Sequence, residues 1–257
     1  MKIHKTAIIH PKARLADTVT VGPYSVIGEH VQIAEGTTVG QACRIEGYTT
    51  IGKNCSFFTG AVIGSPPQDL KYKEEKSFVI IGNGNTFREY ITVNPGTKEN
   101  GQTVIGDSNL LMAYTHIAHD CVVKNNCIIA NVGTLAGYVT IEDYAVVGGI
   151  VAIHQFCRVG RLSIIGGCSK VVQDIPPYST CDGHPTKVFG LNMVGLRRAK
   201  TPKENIRNLK EAFKLLFNEG LSISHAVQKI KQDVAQCEEV AHLVEFATSS
   251  RRGICRR

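Results

Sequence analysis

The sequence predicts a parallel β-helix, a prism wound from short flat strands, followed by a small α-helical domain. Three observations carry this. An aliphatic or aromatic side chain recurs at every sixth position from Ile9 to Ile63, again at Ile81, Phe87 and Val93, and then without a break from Ile105 to Val171. All 25 of these slots are apolar in a chain that is 43% hydrophobic, so the column is a pattern and not an accident of composition. Neither a helix of period 3.6 nor a strand of period 2 produces a repeat of six, whereas coils built from three hexads do. Beyond residue 200 the period becomes helical, which marks a separate unit.

Each element follows from local chemistry. Glycine succeeds the aliphatic residue at Gly22, Gly28, Gly40, Gly52, Gly64, Gly82, Gly106, Gly148, Gly160 and Gly166, where a corner is expected to need backbone freedom. Four places after the aliphatic residue the side chain is small or β-branched, as at Ala13, Ser25, Thr37, Cys43, Thr49, Cys55, Ala61, Cys121, Cys127 and Cys157. Three hexads make a coil of about 18 residues, and stacking at roughly 4.8 Å would give about eight coils over residues 1–190. Two polar stretches interrupt the repeat, GSPPQDLKYKEEKSFVI at 64–80 and PGTKENGQT at 95–103. Insertions of this kind protrude from one face of a solenoid and often carry function. The column stops at Pro176–Pro177, because successive prolines cannot join a ladder.

The helical domain is expected over 191–257. Thr201-Pro202-Lys203-Glu204 reads as a capping box, followed by an inward face of Ile206, Leu209, Phe213 and Leu216 and a stop at Gly220. A second helix should start after Ser222 with Ala226, Val227, Ile230 and Val234 inward, and a third should bury Val240, Leu243, Val244 and Phe246. The tail SSRRGICRR is expected to fray or to dock on a neighbour.

Composition limits the function classes. No apolar run approaches 18 residues, so no transmembrane helix and no stable membrane insertion is expected. MKIHKTAIIHPKARL lacks the apolar stretch and cleavage site of a signal peptide. The nine cysteines form no CxxC pair, and five occupy the small hexad slot, where a reduced thiol packs as a small hydrophobe. A cytoplasmic location follows. Residues 195–257 hold 13 Lys or Arg and 7 Asp or Glu, so this quarter supplies +6 of the net +7 and implies an acidic partner. No aromatic–basic interleaving supports nucleic acid; an acidic carrier protein fits better.

The chemistry concentrates in HIAHDC at 116–121. A coil offset of 18 places Gly137 and then Gln155 above His119, and Tyr138 and then Phe156 above Asp120, with His154 beside that column. A base, a backbone N–H free of a side chain and a polar amide in one line suit acyl transfer. Ordinary corner residues are the plain alternative, and zinc held by His116, His119 and His154 is another.

The stretches PPQDLKY (66–72), HIAHDC (116–121), LAGYV (135–139), HQF (154–156), QDIPPY (173–178) and GLRRA (195–199) closely resemble the UDP-N-acetylglucosamine O-acyltransferases, which begin lipid A synthesis in Gram-negative bacteria. The resemblance spans the chain. It implies a left-handed prism, a homotrimer with active sites in the clefts between prisms, no metal or resident cofactor, and a donor acyl group on the phosphopantetheine of acyl carrier protein. By position, His119 matches the general base, Asp120 the carboxylate that orients it and Gly137 the backbone donor to the oxyanion. Lys71, His116, His154, Gln155, Asn192 and Arg198 match positions that bind the UDP-sugar, and Gly167 a position that sets the depth of the acyl groove. Asn94, Tyr138 and Val194 depart from the common residues there, histidine, histidine and glutamate. A 3-amino sugar in place of the 3-hydroxyl is therefore an alternative acceptor. An N-acyltransferase of the same pathway carries an extra N-terminal domain for which hexads starting at Ile9 leave no room, and a non-catalytic hexapeptide scaffold is the remaining alternative.

Overall fold

The computed structural model describes residues 1–217 and 220–256. The chain winds as a left-handed parallel β-helix of three faces. The first face has eleven strands and starts at Lys2–Ile3; the second has nine and starts at Ile8–Ile9; the third has eight and starts at Arg14–Leu15. Most strands are two residues long, and partners are offset by one coil, as in Thr20↔Thr38. Across the insertions the offset grows from 18 to 30 (Ser56↔Thr86) and then to 24 (Thr86↔Leu110). The insertions thus add 12 and 6 residues, whole multiples of the hexad, which is why the apolar column keeps its phase across them.

The column fills the prism: from Val21 to Val171 its members are 0–3% exposed. Phe57 and Phe87 stack at 4.5 Å between ring centroids on successive coils. The small slot also faces inward, and its polar members are satisfied by the neighbouring coil. The Ser25 hydroxyl donates to the Gly40 carbonyl and accepts from the Cys43 N–H, and Thr37 does the same between Gly52 and Cys55. Cysteines therefore line the core as free thiols.

The glycines have a different reason from the one expected. Of the ten that follow the aliphatic residue, only Gly64 has positive φ. A Cβ on Gly22 would lie 2.5 Å from the Gly40 carbonyl oxygen, and one on Gly148 2.6 Å from that of Ile165. Close approach of the next coil, not corner geometry, selects glycine there. The left-handed residue of each corner comes two places later and is mostly not glycine. Asp120, Asn126, Val132, Tyr138, Tyr144, Ile150, Phe156, Leu162 and Cys168 all have φ between 55° and 66°. Each such corner costs roughly 1–2 kcal/mol, tolerated because ladder bonds hold both its ends.

The prism ends in an antiparallel hairpin, Ser179–Gly183 with Thr186–Leu191. Four helices follow: α1 (Met193–Arg198), α2 (Lys203–Phe217), α3 (Ile223–Asp233) and α4 (Glu238–Thr248). α1 had no counterpart in the sequence reading; six residues are too few to show a period. α2 begins at Lys203, with the Ile206 N–H donating to the Pro202 carbonyl. Asn218 and Glu219, before the expected stop at Gly220, lie outside the described residues. Ser222 caps α3 by accepting from the His225 N–H. The expected inward faces of α2, α3 and α4 are buried. The tail, by contrast, neither frays nor awaits a neighbour over its described residues. Gly253 and Cys255 bracket Asp174 with two backbone hydrogen bonds, the Val188 N–H donates to the Arg256 carbonyl, and Ile254 and Cys255 are buried. No described helix is long and apolar enough to cross a membrane.

Candidate active site

The corner between the second and third faces carries the histidine cluster. His116 and Ile117 form a strand of the second face, and the alternation of that strand turns Ile117 into the core and His116 outward. His119 and Asp120 form the corner that follows. The Asp120 carboxylate accepts from His119 Nδ1–H at 2.9 Å, and both side chains are largely enclosed, 10% and 15% exposed. With Nδ1 engaged by Asp120, Nε2 is the ring nitrogen turned toward a cavity of about 610 Å³. One coil up, Gly137 lies directly against the imidazole: a Cβ there would come within 2.6 Å of Nε2. No hydrogen bond from the Gly137 N–H is formed to any described residue. A ring nitrogen free to take a proton and a backbone donor free to meet an oxyanion thus share one small volume.

The cavity is closed from the side by the first insertion. Gln68, Asp69, Leu70 and Lys71 line it together with Asn94, His116, His119, Gly137 and Gln155. Asp69 Oδ2 stands 3.9 Å from His119 Nε2, and Asp69 Oδ1 accepts from the Lys71 N–H at 2.9 Å. His116 is hydrogen-bonded through Nδ1 to Thr92 Oγ1 at 2.7 Å, and burial, helped by the charge of neighbouring His119, holds its pKa below the usual histidine value. Asn94 is buried, its Nδ2 donating to the carbonyls of Ser65 and Pro66, so it fastens the root of the first insertion. Tyr138 packs edge-on against His119 and stacks on Phe156. His154 is exposed beside Gln155. Among the described residues no group of three His, Cys, Asp or Glu side chains is placed to hold a metal.

The other expected site residues sit elsewhere on the chain. Asn192, Val194 and Arg198 line a second cavity, of about 830 Å³, against the first face, with Asn126, Tyr144, Arg161 and Leu162. The Asn192 amide is engaged within the chain, Oδ1 capping α1 at the Gly195 N–H and Nδ2 donating to the Leu162 carbonyl. Gly167 occupies the corner between first and second faces, exposed, with only the Gly149 backbone nearby. One prism therefore holds the expected residues in two separate groups. Asp69 and Thr97 were not singled out from sequence. Asp69 was in view inside PPQDLKY, but nothing in its local pattern distinguishes it from a solvated loop carboxylate.

Residues 102–133 match the profile described as bacterial transferase hexapeptide (six repeats), and residues 174–255 match that described as UDP N-acetylglucosamine O-acyltransferase, domain 2. The acyl-[acyl-carrier-protein]–UDP-N-acetylglucosamine O-acyltransferase of Thermodesulfovibrio yellowstonii is 50% identical over 256 residues, covering 99% of each chain. Among solved structures, LpxA from Acinetobacter baumannii superposes with a TM-score of 0.95 at 43% identity over 99% of both chains. The UDP-N-acetylglucosamine O-acyltransferase of Moraxella catarrhalis superposes with a TM-score of 0.96 at 38% identity over the whole of both.

Proposed function

The chain belongs to the UDP-N-acetylglucosamine O-acyltransferase family, and from that premise we propose that it transfers a 3-hydroxyacyl chain from acyl carrier protein to the 3-hydroxyl of UDP-N-acetylglucosamine, the first step of lipid A biosynthesis. The observation that carries the chemistry is the His119–Asp120 pair facing the bare Gly137 backbone. A sugar hydroxyl is a weak nucleophile near pH 7, so its proton must leave as it attacks the thioester carbonyl. His119 Nε2 takes that proton while Asp120 stabilises the resulting imidazolium through Nδ1–H. Negative charge gathers on the former carbonyl oxygen and is met by the Gly137 N–H. Collapse of the tetrahedral intermediate breaks the carbon–sulfur bond, and the phosphopantetheine thiolate leaves with the proton returned by His119. The acceptor sugar would lie along His116, Gln155, Asp69 and Lys71, and no metal takes part in this reading.

We further propose that the active unit is a homotrimer. Tyr24, Tyr90, Tyr114, Val132 and Ile150 are exposed in a line along the corner between first and second faces. This corner separates the two cavities. Packing it about a three-fold axis would set the first face of one prism against the second face of the next, and so bring the Asn192–Arg198 group opposite the His119 group. His154 and Arg198 are then placed for the nucleotide, and Gly167 for the acyl chain. Free thiols throughout the described chain support a reducing, cytoplasmic setting. His119→Ala should lower kcat by at least about 10²–10⁴-fold, with the melting temperature unchanged, in an assay with acyl carrier protein thioester and UDP-N-acetylglucosamine. A variant with wild-type kcat would end the base assignment.

A further inference from the structure

We infer that Thr97 and Tyr138 are positioning residues that set the proton order around His119; this rests on His119 acting as the base. Asp120 Oδ2 accepts three hydrogen bonds, from His119 Nδ1–H at 2.9 Å, from the Thr97 N–H at 3.1 Å and from Thr97 Oγ1 at 2.8 Å. An ionised carboxylate only accepts, so Thr97 must donate its single hydroxyl proton to it. Thr97 Oγ1 also lies 3.1 Å from the Tyr138 hydroxyl. With the threonine proton committed, the Tyr138 hydroxyl is the donor in that pair. The direction of the whole chain follows: Tyr138 O–H to Thr97 Oγ1, Thr97 O–H to Asp120 Oδ2, and His119 Nδ1–H to the same oxygen. The protons run toward the carboxylate, and of the two neutral tautomers of His119 only the Nδ1–H form fits, with Nε2 facing the cavity.

The second insertion is built to hold Thr97 there. The Asn100 N–H donates to the Lys76 carbonyl, the Gly101 N–H to Lys98 and the Phe78 N–H to Gly101, which tie this loop into itself and to the end of the first insertion. Room for this closure exists because residue 96 is glycine: a Cβ there would sit 2.6 Å from the Gln102 nitrogen. The far end of the same loop grips the corner backbone, where Asp120 N–H donates to Thr103 Oγ1 at 2.9 Å. Tyr138 is fixed in turn by its stack on Phe156 and its edge contact with His119. Threonine and tyrosine thus supply a neutral donor chain at the position where a histidine would add a second titrating ring.

Thr97→Val keeps the shape and removes the hydroxyl. With KM for both substrates unchanged, kcat should fall roughly 10- to 100-fold, the range for losing a hydrogen bond to a charged group. Thr97→Ser should recover kcat to within roughly threefold of wild type. Tyr138→Phe should lower kcat less than Thr97→Val and add nothing in the Thr97→Val background, because it acts through that hydroxyl. Imidazole ¹⁵N spectra should report His119 as the Nδ1–H form in wild type and as a mixture of tautomers in Thr97→Val. Wild-type kcat in Thr97→Val, failure of serine to rescue, or fully additive effects of Thr97→Val and Tyr138→Phe would overturn the inference. His119→Ala run alongside separates the two levels: if it is inactive while Thr97→Val is unimpaired, only the relay is wrong, and if it is active the base reading itself fails.

Discussion

At the scale of single residues, the small hexad slot decides what a cysteine can be. Burial pushes the thiols of Cys121 and Cys127 up to about 12 and that of Cys157 up to about 11, against the opposing pull of backbone hydrogen bonds and, at Cys157, of the Arg252 charge. At pH 8 their thiolate fraction is then on the order of 10⁻³ or less, and only the thiolate is nucleophilic. A thiol reagent applied to native protein at that pH should leave these three unlabelled for hours and modify them at once in denaturant, as read by peptide mass spectrometry. Prompt native labelling of any of them would contradict the packing described. The inert character of these residues was legible in the sequence, since the slot recurs with Ala, Ser and Thr. The duty of Asn94 was not. Its amide is spent on two carbonyls of the first insertion, and a contact between residues 28 and 29 positions apart leaves no local trace.

At the scale of elements, one buried carboxylate gathers several of the contacts that join prism and helices. Asp174 is 1% exposed and accepts from the Arg158 N–H, from Arg158 Nε at 3.1 Å and from the Ser250 hydroxyl. The Arg158 guanidinium continues to the Phe246 carbonyl and the Ser249 hydroxyl while lying over the Phe246 ring at 4.1 Å. Removing one partner of a buried pair costs about 3–5 kcal/mol. Arg158→Ala should therefore speed amide hydrogen exchange in residues 246–256 by at least about a hundredfold, with the coils around His119 unaffected. Unchanged exchange in residues 246–256 would mean that the other ties between prism and α4, Arg161–Glu238 and Glu142–His242, hold the helices without it. The strands were legible because their period is short and strict, and three of the helices because theirs runs for three turns or so. The hairpin after Pro177, α1 and the docking of the tail were not. Each depends on partners that the fold, and no local spacing, brings together, as in the bridge between Asp174 and Ile254.

At the scale of the whole molecule, charge and shape divide the work. The excess positive charge of residues 195–257 lies on the domain that flanks the second cavity, where Arg198 and Lys200 line the wall. Attraction of an acidic carrier to that domain acts on encounter and is screened over about 8 Å at physiological salt. Raising salt should increase KM for the carrier-bound donor with little change in kcat, and replacing exposed Arg207 and Lys210 by glutamate should do the same at low salt. Equal salt sensitivity for the UDP-sugar would assign the charge another purpose. The two ends of the prism are as unlike as its faces. The first coil leaves Ile3 and Ile8 open to water, whereas the last is sealed by the hairpin, the buried Tyr178 ring and the helices. Along the ladders each strand pairs only with the coils before and after it, so order is lost by peeling and not by general collapse. The open end is where peeling begins, and the strand that carries His116 is sixth of nine on its face. The first insertion, which reaches the cavity, leaves the fourth strand of that face, so three coils can loosen before the reaction centre feels it, which makes the early coils a fuse set at a distance from the chemistry they precede.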